Sequence, residues 1–361
     1  MAHFRVPLYE GLRDALGRDG VTMKLLTGIP TPAEIAKDDV EDIEWARVLP
    51  TRYFLGSKIC WMPVHANLAP GDLLVLEHEN RLLWNYYELY KPRSYKVAFW
   101  GHGRNMQSKK PNGFRERFKR LTTLHADWYF AYTEDSRTTL LDIGFPDKHI
   151  TVFNNAIDTR QLARARRSLS AQELADLAQS LGLAGRPVGL FLGSLYAQKG
   201  LDLCLRAAVS VRQRVPDFQW LVIGDGPDRS KVEAMVRQHP WVHWVGAKRD
   251  RDKALYASLA DVLMIPGAVG LVALDSLVLG KPVVTMRGNA HGPEIAYLMH
   301  GVDALMTPSA IETYAEEVSQ LLLDSQRLQA MQQACLAKAD RYTIEAMIER
   351  VRAGVLSAMR S

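Results

Sequence analysis

Short, nearly uninterrupted apolar runs recur along the chain, and most are followed by a segment long enough for a helix. This alternation constrains the fold more than any other feature. The runs cover residues 73–76, 96–100, 128–132, 188–192, 220–223, 241–245, 262–265 and 281–285, and residues 114–125 read as a helix between two of them. Strands that are apolar on both faces need cover on both faces, which is the pattern of parallel sheets flanked by helices. Repeated strand–helix units cross over right-handedly and build doubly wound layers. The expected class is therefore α/β.

A length of 361 residues accommodates two such domains. A polar, helical stretch without strand signals opens at Arg160 and is closed by Gly182, Gly185 and Pro187. It separates an N-terminal half, 1–160, from a C-terminal half, 186–340, with 161–185 as the linker helix. Ile344, Met347, Ile348, Val351, Val355 and Leu356 then recur at helical spacing, so 341–361 is expected to be a helix. The first residues carry neither an apolar leader nor a strand pattern.

Hydrophobic residues make up 47% and charged residues 24%, which excludes a disordered, collagenous or coiled-coil chain. Cys60, Cys204 and Cys335 are far apart and share no metal-ligand spacing, so neither a disulfide scaffold nor a structural zinc site is expected, and a reducing compartment fits. No run reaches the length of a membrane span. The net charge is only +5, yet residues 91–120 hold ten Lys or Arg against one acid, Glu116. Such a segment reads either as a solvated face or as a surface for an anionic membrane or a phosphorylated acceptor.

The C-terminal half carries the chemistry. After the run 188–192, Gly193 and Ser194 form a polar turn, and Lys199 stands at the entrance of the next helix, where open N–H groups already favour an anion. Gly224 and Gly226 follow the run 220–223, and Gly246, Ala247 and Lys248 follow 241–245. Three glycine turns at strand ends suit one nucleotide-binding edge. Small residues at Gly267, Ala268 and Gly270 leave amides open before a helix, which suits a diphosphate, and Asp275 lies within that helix, placed to hold ribose hydroxyls.

In this order, strand–G-S-L-x-x-x-K-G, I-G-D-G-P, A-D-V-L-x-x-P and G-L-V-A-L-D-S-L-x-x-G-K-P-V-V resemble the donor domain of a family 4 glycosyltransferase of GT-B fold. Phe99-Trp100-Gly101-His102-Gly103 and Val152-Phe153-Asn154-Asn155-Ala156-Ile157-Asp158 resemble that family's acceptor-side strand end and interdomain motif, so the likeness spans nearly the whole chain. It implies two Rossmann-like domains facing a cleft, with the last helix returning to the first domain. It also implies retaining, metal-independent transfer from a nucleotide-diphosphate sugar, with no other cofactor and no nucleic acid partner.

Lys199 and the Gly270 and Leu271 amides would hold the diphosphate, Asp275 the ribose, and His102 the acceptor hydroxyl, making His102 and Lys199 the catalytic candidates. Gly193, Ser194, Gly224, Gly246, Lys248, Gly267, Val269, Val272, Arg287 and Glu294 complete the expected donor set. His3, Arg5, His78, Glu79, Asn80 and Arg104 form the expected acceptor set. The acceptor class implied is a saccharide or lipid-linked saccharide of cell-surface polysaccharide or glycolipid synthesis. The expected location is cytoplasmic, with peripheral contact at the inner face of the membrane as a further expectation.

Two positions depart from the family pattern. The first acid of its E-x7-E motif is Gly267, and Ser194 stands where an Arg is frequent. Arg287 and Glu294 are expected to replace part of the lost sugar contact. A nucleotide-sugar epimerase and a degenerate, scaffolding glycosyltransferase-like subunit remain the rival readings. The family also places a strand ahead of the position where this sequence begins, so the N-terminal sheet is expected to lack its first strand, leaving an open slot or an altered pairing.

Overall fold

The computed structural model describes residues 3–31, 43–64, 68–103 and 113–361. Two compact units emerge: one of residues 1–158 and 343–361, the other of residues 159–342.

In the first unit a 3-10 turn, His3–Arg5, leads into α1, Val6–Arg18, with Pro7 in its first turn, where its missing N–H costs nothing. Two small pairs follow: β1 (Leu26–Thr27) with β2 (Arg47–Val48), parallel, and β3 (Arg52–Phe54) with β4 (Ile59–Trp61), antiparallel. The main sheet is wholly parallel. It runs β5 (Leu73–Glu77), β6 (Lys96–Gly101), β7 (Trp128–Ala131) and β8 (Ile150–Val152), in that spatial order. The connecting helices are α2 (Leu83–Tyr90), α3 (Phe114–Thr123) and α4 (Glu134–Asp142). These four strands pair without interruption, so no open slot lies among them, and residues 3–18 are helical.

The second unit opens with α5 (Arg160–Ser168) and α6 (Ala171–Ser180), the latter held by a Ser170–Glu173 capping box. The stretch 161–185, read above as a linker, therefore belongs to this unit. Leu162 is buried in its core, with Ala163, Ala165 and Leu169 packed alongside.

Six parallel strands follow: β9 (Val188–Leu192), β10 (Gln219–Ile223), β11 (Val242–Trp244), β12 (Val262–Met264), β13 (Val283–Met286) and β14 (Ala304–Thr307). They lie in the order β11-β10-β9-β12-β13-β14. Numbered within the unit, this is the doubly wound order 3-2-1-4-5-6, and it reverses between β9 and β12. Helices α7 (Leu201–Arg214), α8 (Arg229–Gln238), α9 (Asp250–Ser258), α10 (Val272–Leu279), α11 (Ile311–Leu323) and α12 (Ser325–Ala339) complete it. Every residue of α10 is buried, which explains its continuous apolar sequence.

The last helix, α13 (Ile344–Arg360), belongs to the first unit and packs against α1 and the sheet. Gly354 makes this approach possible: a Cβ there would run into Thr151 Oγ1 and lie 2.8 Å from the Phe130 ring. Gly354→Ala should therefore cost about 1–3 kcal/mol, as overpacking does. The check is the chemical-denaturation midpoint, which should fall, whereas Gly17→Ala, with open space at its Cβ, should leave it nearly unchanged.

Candidate functional site

In an open α/β sheet the crevice beyond the strand carboxyl ends, at the point where strand order reverses, is where ligands bind. In the second unit that point lies between the loops after β9 and β12. The loop after β9 passes through Gly193, which has open space where a Cβ would be, and exposed Ser194, before the turn Ala197–Lys199. The loop after β12 runs from Ile265 to Leu271. Lys199 joins them: its Nζ donates to the Ala268 carbonyl at 2.9 Å. Burial pulls its ammonium pKa below the ordinary lysine value, and the nearby Glu294 charge partly opposes this.

The Ala268 bond is one of four. Asn289 Nδ2 donates to the Pro266 carbonyl at 2.6 Å, Thr285 Oγ1 to that of Gly267 at 3.4 Å, and the Gly292 amide to that of Val269 at 2.7 Å. Four consecutive carbonyls are thus turned onto donors of the fold. The Val269 amide is also occupied, donating to His291 Nδ1 at 3.1 Å, while His291 Nε2 donates to the Met286 carbonyl at 2.9 Å. The amides of Ala268, Gly270 and Leu271 have no acceptor among the described residues. Gly270 and Leu271 immediately precede α10, whose first N–H groups are open by helix geometry. Carbonyls held inward and amides left open, beside a lysine and a helix start, make a nest of the kind suited to an anion.

Around it, Glu294 is 4% exposed, and its Oε2 lies 3.9 Å from where a Gly270 Cβ would stand. Asp275, in the first turn of α10, accepts from Lys253 Nζ of α9 at 2.6 Å. Lys253 was not expected from the sequence, since no spacing rule links residues 22 apart on different helices.

Several expected donor contacts lie otherwise. Val269 is fully buried and its amide is engaged by His291, so it offers nothing to a ligand. The backbone of Gly267 is covered by Gly200, whose Cβ would stand 3.4 Å from it. Gly224 is glycine because the Gly193 carbonyl fills the place of a Cβ; close packing of two strand ends accounts for it. Arg287 turns to the outer strand, donating through Nε to the Met306 carbonyl at 3.0 Å. The Lys248 ammonium rests 4.7 Å from the Tyr256 ring centroid. The Val272 side chain is core, while Gly246 is open at its Cβ position.

In the first unit, the strand-end histidines differ sharply. His78 is 6% exposed, stacks on Phe99 at 4.1 Å, and bonds Tyr129 OH through Nδ1 at 2.7 Å and Thr123 through Nε2 at 3.4 Å. It is a core histidine, and the expectation that it meets an acceptor is corrected. His102 lies 4.0 Å from the Tyr132 ring, with Nδ1 buried and unpartnered. Burial, then the charges of Lys119 and Arg5, bring its pKa down to about 4, so it is neutral at pH 7. Arg5 donates to Asn155 Oδ1 at 2.6 Å. Glu79 accepts from Arg81 Nε at 2.5 Å, and Asn80 Oδ1 from Tyr86 OH at 3.4 Å. Arg104 lies outside the described residues, and of His3 only the main chain is described.

The basic segment is less open than its composition suggests. Lys91 pairs with Glu88, Arg93 with Asp127, Lys96 holds the Ala358 carbonyl, and Lys119 the His78 carbonyl. Arg104, Lys109 and Lys110 lie outside the described residues. Among the described residues, no group of three or more His, Cys, Asp or Glu side chains is placed to hold a metal ion, and no helix is long and apolar enough to cross a membrane.

The nest carries a pH dependence. Burial lowers the His291 pKa from its ordinary value near 6.5, partly opposed by its bond to Met286, and Lys199 lowers it further. Its folded state therefore favours the neutral form, and stability and loop shape held at pH 7 are lost as pH falls below 6.5. Nucleoside diphosphate affinity should then decline on the acid side more steeply in the wild type than in His291→Gln, by isothermal titration from pH 7.5 to 5. Parallel profiles would show that His291 does not shape the nest.

Residues 186–324 match the family model described as glycosyl transferases group 1. The alpha-D-kanosaminyltransferase of Streptomyces kanamyceticus is 26% identical over 188 residues, 48% of this chain and 46% of that protein. The GDP-mannose-dependent alpha-(1-6)-phosphatidylinositol monomannoside mannosyltransferase of Mycolicibacterium smegmatis is 30% identical over 172 residues, 44% of each. The chain thus spans less than half the length of these relatives. Among solved structures, Anabaena HepE in complex with UDP aligns over 98% of this chain and 96% of its own at TM-score 0.65 and 17% identity. Sucrose-phosphate synthase from Thermosynechococcus elongatus aligns over 96% and 91% at TM-score 0.63 and 17% identity. The second unit is thus similar to the group 1 glycosyl transferases, and the chain shares the two-unit α/β fold of these solved glycosyltransferases.

Proposed function

We propose that this chain transfers a sugar, with retention at the anomeric carbon, from a nucleotide-diphosphate sugar to a hydroxyl of a saccharide or lipid-linked acceptor. The observation that carries the reading is the nest at the β9–β12 switch point, with Lys199 bonded into it. The hard step in such a transfer is departure of a diphosphate from an oxocarbenium-like carbon. Fixed N–H dipoles and an ammonium at the leaving oxygens stabilise the charge that develops there without reorganising. The Gly270 and Leu271 amides and Lys199 fill this role. Asp275 would hold the ribose through Oδ1, since Oδ2 is bonded to Lys253. Glu294 would meet the sugar hydroxyls in place of the acid absent at Gly267.

His102 would orient the acceptor hydroxyl by accepting its proton in a hydrogen bond. A base with a pKa near 4 is too weak to remove that proton unaided at neutral pH. The names of the relatives support a nucleotide-sugar donor, one being called GDP-mannose-dependent, and one solved neighbour holds UDP-glucose. We place the protein in the cytoplasm at an anionic membrane surface. On α3, Arg117 and Arg120 are exposed beside Phe118 and Leu121, and Leu124 follows, also exposed.

A thermal-shift and calorimetric panel of UDP, GDP, ADP and TDP sugars should return one clear donor. Lys199→Ala and Asp275→Ala should each weaken it tenfold or more, the loss of a charge-assisted hydrogen bond being worth roughly 1.5–3 kcal/mol. Unchanged affinity would overturn the site, and no binding by any donor would favour the scaffold reading. Conversion of donor to an epimer without acceptor would favour the epimerase. Co-sedimentation with phosphatidylglycerol vesicles should fall several-fold in Leu121→Glu and in Arg117→Glu; equal sedimentation would remove α3 from any membrane contact.

A further inference from the structure

Arg5, a charged group of the first unit, has no counter-charge within ion-pair distance among the described residues. Arg5 is part-buried, and both of its side-chain partners are neutral: Asn155 Oδ1, 2.6 Å from Nη1, and Tyr132 OH, 3.3 Å from Nη2. Its guanidinium also stands 5.3 Å from the Phe4 ring centroid and 5.8 Å from that of Tyr132. Among the described residues no carboxylate lies within ion-pair distance of it. A guanidinium carries five N–H donors, so two bonds leave three for a ligand.

The surroundings are polar on one side. His102, Tyr132 and Asn155 follow the carboxyl ends of β6, β7 and β8 respectively, and the turn His3–Arg5 reaches this same end of the sheet. His102 lies tilted against Tyr132, the ring whose hydroxyl Arg5 holds, and its buried Nδ1 is without a partner. The charges that act on His102 are those of Lys119 and Arg5, both positive, with no acid among them. Glu77, at the end of β5, acts on the Tyr9 hydroxyl, as Arg5 does. Asn155 is itself 3% exposed, and its amide is tied to the Tyr132 carbonyl, so the guanidinium is aimed by a fixed partner.

A pre-aimed guanidinium with spare donors, beside an imidazole whose Nδ1 has no partner, is an arrangement that recognises a phosphate-type oxyanion. We propose that Arg5, with His102 beside it, is an oxyanion seat in the first unit, taking a phosphate group carried by the acceptor. The bland alternative is that Arg5 is a neutral strut joining the N-terminal turn to Asn155. A strut needs hydrogen bonds and not charge, so the two separate by experiment. This inference rests on the glycosyltransferase reading only for the source of the oxyanion, and phosphate binding is measured without any donor sugar.

The test uses the full chain with isotope-labelled histidine, the His102 signal being assigned by its loss in His102→Gln. Methyl phosphate is titrated first. The expected result is a saturable shift of the His102 signal and a rise of its titration midpoint by about one pH unit, the linkage signature of roughly tenfold tighter binding to the imidazolium. Arg5→Gln, which keeps a donor for Asn155 without the charge, should abolish both effects, and Arg5→Lys should restore part. UDP then serves as the comparison: a shift with methyl phosphate but not with UDP assigns the oxyanion to the acceptor, and a UDP response as large as that to methyl phosphate contradicts the assignment. No saturable response to either compound, or an undiminished one in a folded Arg5→Gln protein, overturns the proposal. Either result leaves donor binding at Lys199 and Asp275 untouched, so the failure of one reading does not imply failure of the other.

Discussion

The site depends on how one short stretch of main chain is held. From Pro266 to Val269 every carbonyl is bonded by a donor from outside the stretch: Asn289, Thr285, Lys199 and the Gly292 amide. A buried carbonyl that loses its partner costs roughly 1–3 kcal/mol, so the four bonds resist rotation of the peptide planes together. With the carbonyls held, the amides ahead of α10 have nowhere to turn but outward. The cost of ordering an anion-binding loop is thus met when the protein folds and not when a ligand arrives, which is what makes such a loop effective at a developing charge.

The fold supplies the position and the loop supplies the chemistry. Reversal of strand order between β9 and β12 brings Lys199 and Ala268 together across 69 residues of sequence. The departures at Ser194 and Gly267 become easier to interpret in this setting. Gly267 packs close to Gly200, and the carboxylate beside Gly270 is that of Glu294, reached from the turn after β13. Asp275 comes with its own cation, Lys253, which fixes one oxygen and leaves the other for a ligand.

The strands were legible because parallel strands covered on both faces must be apolar throughout, and residues 188–192 begin and end as read. The small residues before α10 were read as open backbone at a helix start, and the Gly270 and Leu271 amides have no acceptor among the described residues. What could not be read is which neighbour each polar side chain meets. His78 and His102 both follow apolar strands, and only the placement of Phe99, Tyr129 and Thr123 puts one in the core and leaves the other with an open nitrogen. The charges of Lys91, Arg93 and Lys96 looked like surface. Glu88, Asp127 and the Ala358 carbonyl, the last 262 residues away, take them up. Gly224 looked like a ligand contact, yet its missing Cβ accommodates a neighbouring turn.

The central claim is that the amides before α10, and not the Val269 amide, receive a diphosphate. The direct measurement is a backbone amide nitrogen–proton correlation spectrum of the labelled full chain, recorded as the tightest-binding nucleoside diphosphate is added. The account predicts downfield shifts of the Gly270 and Leu271 amide protons at saturation, with the Val269 amide, already bonded to His291, moving far less. Shifts confined to other loops, or a Val269 amide that moves as much as those of Gly270 and Leu271, would contradict it.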